Sequence, residues 1–173
     1  MNHTVSVKAI PVCVIVFVVV GFWVLGYGCT RQQQETEEIL PALVDDAGIL
    51  SDDERAALGA LLNSYTKETT HQFAVEIISA LDGQNIEEYS IERASTRRLG
   101  VKGRDNGLLF LVVVDERQMR IEVGYGLEAV LPDSFCGSVI RDTVAPQFAE
   151  REYYEGIRMG LEMLMAKAKS EEL

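Results

Sequence analysis

Asp105-Asn106-Gly107 and Gly124-Tyr125-Gly126-Leu127-Glu128, with Asp133 a few residues on, hold most of the residues in this chain that could do chemistry. The Asp105, Glu128 and Asp133 carboxylates and the Asn106 amide are hard oxygen donors of the kind calcium takes six to eight of, in irregular geometry. Asp46 is a further donor, expected at the opposite edge of the fold unless residues 47–50 double back. No EF-hand spacing is present. A plainer reading is also open: a turn at Asp105-Asn106-Gly107, a helix cap at Asp133 and a solvated acid at Glu128. A phosphoryl group would need cations and N–H donors instead. Arg97, Arg98, Lys102 and Arg104 could form that cradle, with the N–H groups of Gly124, Tyr125 and Gly126 as an anion nest. Compensation of a helix dipole and a solvated face account for the same arginines. Nothing in the sequence identifies a catalytic base: His71 reads as a strand-end or surface histidine and Cys136 as a packed helix residue. Tyr125, between two glycines, could contact a ligand or partner, or plug the sheet edge.

The elements that position these residues follow from periodicity. An apolar run from Leu108 to Val114, the break Asp115-Glu116-Arg117-Gln118 and an alternating run over Met119, Ile121 and Val123 form a β-hairpin. Its antiparallel strands bring the Asp105 and Gly124 ends together. Ser51-Asp52-Asp53-Glu54 is a capping box that opens a first helix through Leu58, Leu61, Leu62 and Tyr65. Phe73, Val75 and Ile77 mark a strand interrupted at Asp82-Gly83. A second helix is expected over residues 86–99, ended by Gly100. A third is expected over residues 133–144, capped by Asp133 and stopped by Pro146, and a fourth from about Glu152. The order α-β-α-β-β-α-α predicts an α/β fold, a three-layer α/β/α sandwich on a small mixed sheet, with the first two strands parallel through a right-handed crossover.

Four segments in this order resemble the TPM domain family. Val44-Asp45-Asp46-Ala47-Gly48-Ile49-Leu50-Ser51 is similar to its V-x-D-x-A-x-x-L-S, and Lys102-Gly103-Arg104-Asp105-Asn106-Gly107 to its basic-G-basic-D-N-G. Glu122-Val123-Gly124-Tyr125-Gly126-Leu127-Glu128 is similar to its E-V-G-Y-G-L-E, and Pro146-Gln147-Phe148 to its P-x-F. The resemblance implies the three-layer fold for residues 41–173. Among relatives it also implies calcium binding, weak phosphatase activity, and roles in the assembly or maintenance of membrane complexes. Fold does not fix function, so a low-turnover phosphatase acting on phosphate monoesters and a non-catalytic assembly module both stay open.

Residues 9–28 carry no charge and are long enough to cross a bilayer, so an N-terminal membrane anchor over residues 1–29 is expected, with the domain on the periplasmic or extracellular side. Leu25-Gly26-Tyr27-Gly28-Cys29 resembles a lipoprotein signal that would lipidate Cys29. An uncleaved single span and ordinary secretion remain alternatives. Residues 30–40, rich in Gln and Glu, read as a flexible tether. The chain's net charge is −11. Residues 1–29 hold Lys8 alone among charged residues, leaving 15 basic against 27 acidic groups, or −12. Such a surface repels phosphate backbones and excludes nucleic acid as an expected partner. Of the three cysteines, Cys13 lies in the apolar run, so no disulfide framework or thiolate metal site is expected.

Overall fold

The computed structural model describes residues 41–170. The expected anchor, the Cys29 lipidation site and the tether lie outside them. In chain order the elements are β1 (Leu43–Asp45), α1 (Asp52–Thr69), β2 (Gln72–Ile78), α2 (Ile86–Thr96), β3 (Gly107–Val113) and β4 (Gln118–Val123). A 3-10 turn (Tyr125–Leu127) leads to α3 (Asp133–Ser138), a π turn (Val139–Val144), α4 (Ala145–Ala149) and α5 (Tyr153–Lys169).

The four strands form one mixed sheet in the order β1-β2-β3-β4. β1 and β2 are parallel, with Asp45 opposite Ile77, and β2 and β3 are parallel, with Gln72 opposite Gly107. β3 and β4 are antiparallel, with Leu108 opposite Val123. The expected parallel pair and hairpin are therefore both present. β1 is an addition: three residues are too short to show a period, and this edge strand is fixed by its ladder to β2.

Alternation divides the sheet's two faces. Phe73, Val75 and Ile77 of β2 and Leu108, Phe110 and Val112 of β3 pack with Leu58, Leu62 and Tyr65 of α1 and with Ile157, Leu161 and Leu164 of α5. Ile78, Leu111 and Val113 point the other way, onto Leu81, Ile86 and Tyr89. Helices thus cover both faces unequally, with α2 alone on the second. Each fully buried Leu, Ile or Phe contributes about 1.5–3 kcal/mol, so the larger cluster dominates stability.

Two helix ends differ from expectation. α2 stops at Thr96 because Arg98 takes a left-handed conformation (φ 48°) and closes the helix. The Leu99 N–H donates to Ala94 O and the Arg98 N–H to Ser95 O, the paired bonds of a left-handed helix stop. The third helical run does not stop at Pro146 but continues through α4 to Ala149. The preceding π turn widens the backbone, and Pro146 falls in the first turn of α4, where its missing N–H costs no ladder bond.

Candidate functional site

At the end of the sheet where β2 and β3 begin and β4 leaves, three loops are sewn to one another. The Gln72 N–H donates to Asn106 O (3.1 Å), the Gly124 N–H to Gly107 O (2.8 Å) and the Gly126 N–H to Asp105 O (3.0 Å). Asn106 is 6% exposed. Its Oδ1 accepts from the Val101 N–H (2.8 Å) and its Nδ2 donates to Thr70 O (3.3 Å). Arg104 Nη1 donates to Thr70 Oγ1 (3.1 Å), and Gln72 Oε1 accepts from the Gly100 N–H (2.9 Å).

The glycines are there because no side chain fits. A Cβ on Gly126 would lie 1.8 Å from Arg104 O, one on Gly124 2.3 Å from Asp105 O, and one on Gly107 2.5 Å from Leu99 O. Both motif glycines of the β4 loop press on the Arg104-Asp105 backbone, and their N–H groups are spent on Gly107 O and Asp105 O. The expected anion nest therefore loses the Gly124 and Gly126 donors.

The expected metal donors are not brought together as a set. Asp105 is exposed, in a left-handed conformation (φ 48°). Glu128 is exposed just after the 3-10 turn. Asp133 is exposed in the first turn of α3, whose N-cap is Pro132, so the expected side-chain cap is absent. The Asn106 amide is an internal staple. Asp46 lies at the far end of the sheet, since its N–H donates to Ile77 O near the close of β2. Residues 47–50 wrap around Asp45 instead, whose carboxylate accepts from the Gly48, Ile49 and Leu50 N–H groups and from Arg55. Among the described residues, no three His, Cys, Asp or Glu form a group that could hold a metal.

The expected cationic cradle is also divided. Lys102 and Arg104 are exposed at this end. The Arg97 side chain is 1% exposed and ion-paired with the buried Glu76 (3.2 Å), its Nη2 also donating to Pro41 O. Arg93 pairs with the other Glu76 oxygen (2.6 Å), and Tyr89 Oη approaches it at 3.4 Å. Burial pulls the Arg97 guanidinium down, opposed by Glu76, while the Glu76 hydrogen bond lifts Arg93. Both stay charged, since arginine starts far above neutral pH. The sequence carries a signal for this cluster: a lone acid within an apolar strand and arginines four apart on the facing helix.

Neither candidate nucleophile nor base is poised for chemistry. Burial, with the Asp133 charge second, pushes the Cys136 thiol up to about 11. His71, expected at a strand end or the surface, directly precedes β2 but is 4% exposed, stacks on Phe73 and shares a 2.9 Å hydrogen bond between Nδ1 and Tyr65 Oη. Tyr125 stands out for the opposite reason, being 80% exposed directly above the clamped loops.

Solved structures share the fold. The N-terminal domain of a protein from Porphyromonas gingivalis is 28% identical with a TM-score of 0.70, over 78% of this chain and 85% of that one. The BA42 protein of the psychrophilic bacterium Bizionia argentinensis is 20% identical (TM-score 0.59; 69% of this chain, 83% of that one). The N-terminal domain of the cg2496 protein of Corynebacterium glutamicum is 16% identical (TM-score 0.59; 80% and 86%). No curated protein matches the chain. The TPM domain matches across residues 43–167, from β1 nearly to the end of α5, and the chain belongs to the TPM domain family.

Proposed function

We propose that this chain is a membrane-tethered, extracytoplasmic TPM module that docks through the Tyr125 end of its sheet onto a membrane protein complex and serves its assembly or maintenance. The observation that carries this reading is Tyr125, four-fifths exposed on backbone that glycine contacts and cross-loop hydrogen bonds hold in place. A rigid amphipathic ring on a fixed loop gives contact area at small entropic cost, as interface tyrosines do. The uncharged run at residues 9–28 supports the tether, which would raise the domain's effective concentration near membrane partners. Docking needs no catalytic group. Divalent-cation binding belongs to this reading as a secondary feature, supported by the exposed Asp105 and Glu128.

Photo-crosslinking from a benzoylphenylalanine placed at position 125 of the full chain, in native membranes, tests the reading. The expected result is one dominant adduct with a membrane protein, unlike the pattern from a control probe at Glu162 on α5. Identical diffuse adducts from both positions would overturn it. Repeating the reaction with calcium and with chelator tests the cation.

A further inference from the structure

Beside the clamped loops a cavity of about 250 Å³ opens between α2 and the β3–β4 hairpin. Ile91, Leu99 and Leu109 give it apolar walls, and Asp105, Glu122 and Arg98 give it charge. Gly124, the residue before Tyr125, lines it too, so the cavity adjoins the proposed docking end. Its volume equals about eight waters at about 30 Å³ each, below the range of drug-sized ligand sites and suited to a single long side chain.

The charges select the occupant. The Asp105 carboxylate accepts no hydrogen bond among the described residues. Glu122 is 22% exposed, and its Oε2 is held by Ser90 Oγ (3.1 Å) and Arg120 Nε (3.0 Å), leaving Oε1 for another donor. Arg98 adds a guanidinium to this lining and Arg120 pairs with Glu122 from beside it, so Asp105 is the lining carboxylate that no described residue neutralises by an ion pair, within a chain of net charge −11. An acidic molecule favours a basic partner by steering and by charge complementarity. An apolar wall with carboxylates suits a lysine, whose methylene stem packs on carbon while its head stays polar. Ile91, 52% exposed, offers the stem an uncovered apolar surface.

We propose that this cavity receives a lysine side chain of the docked partner, its stem on Ile91 and Leu99 and its ammonium met by Asp105 and Glu122. The proposal rests on the docking reading above and adds the partner's chemistry: a basic segment.

The test is an amide-shift titration of the full chain in detergent micelles with n-butylammonium, a lysine side chain without its backbone. Saturable shifts are expected at Ser95, Asp105 and Gly124, weaker with methylammonium, which has no stem, and absent with butyrate. Asp105→Asn suits the left-handed position and should weaken binding about threefold to fivefold, the worth of one partly exposed charge contact. Arg98→Gln should tighten it. No saturable shift, butyrate binding as well as the amine, or an unaltered affinity in Asp105→Asn would overturn the proposal. Spermidine binding far tighter than butylammonium would assign the cavity to a free polyamine and overturn it as well. Crosslinking from position 125 separates the two claims. An adduct that persists when butylammonium fails to bind removes the lysine assignment alone, whereas butylammonium binding without an adduct removes the docking reading.

Discussion

A methyl group on Gly126 would collide with the Arg104 carbonyl oxygen at 1.8 Å, so the loop that carries Tyr125 tolerates no side chain there. Backbone, not a flexible side-chain tip, is what the methyl meets, and Gly126→Ala should cost about 1–3 kcal/mol by overpacking. A thermal melt measures it, and an unchanged midpoint would contradict the clamp. Asn106→Ala should cost about 1–3 kcal/mol for a different reason: it strands the Val101 N–H and the Thr70 carbonyl that the amide now satisfies. Cys136, with its thiol near 11, should resist alkylation at pH 8 in the folded protein and react on denaturation. Rapid alkylation of the native chain would refute that. At this scale the sequence made half of the site legible. Residue types and hairpin adjacency place Asp105, Asn106 and Gly124 together, but the Asn106 amide turns inward because Thr70 and Val101, distant in sequence or loop, supply its partners. The glycines read equally well as a ligand cradle or as close packing, and only the neighbouring carbonyls decide between them.

Elements with long periods were legible, and elements set by tertiary contact were not. The capping box at Ser51 and Glu54 is present as expected, with the Glu54 carboxylate accepting from the Ser51 N–H at 2.7 Å. That N–H, then the Ser51 hydroxyl, holds the Glu54 carboxyl below its ordinary 4.5. A folded-state value depressed in this way adds stability above 4.5 that is lost as pH falls through the folded value. Protection of the first-turn amides of α1, taken relative to the intrinsic exchange rate at each pH, should therefore fall below pH 4.5, and Glu54→Gln should remove that pH step. β1 escaped detection for its length, and α2 ended early because the left-handed stop falls at Arg98, two residues before Gly100. The tie between α2 and β2 is the Glu76 cluster. Removing one partner of a buried pair leaves an uncompensated charge, so Glu76→Ala should cost about 3–5 kcal/mol in a denaturant melt. A loss under about 1 kcal/mol would mean that Arg93 and Arg97 find water instead.

The molecule as a whole divides its labour between the two ends of the sheet. One end is closed by Asp45, whose carboxylate gathers three loop N–H groups and Arg55, and offers no free face of that acid. The other presents Tyr125 and a charged cavity on loops that hydrogen bonds and glycine contacts fix. The α/β class, the parallel pair and the hairpin were legible from hydrophobic periodicity and element order, and the family from four motifs in order along the chain. The division of the ends was not, because it depends on which carboxylates the backbone consumes. The most direct measurement of the central claim compares the full chain with Tyr125→Ala by native gel electrophoresis of mildly solubilised membranes, with melts of both proteins alongside. The parent should migrate in a large complex and the variant alone, at equal melting temperature. Co-migration of Tyr125→Ala with the same complex at undiminished yield would contradict it.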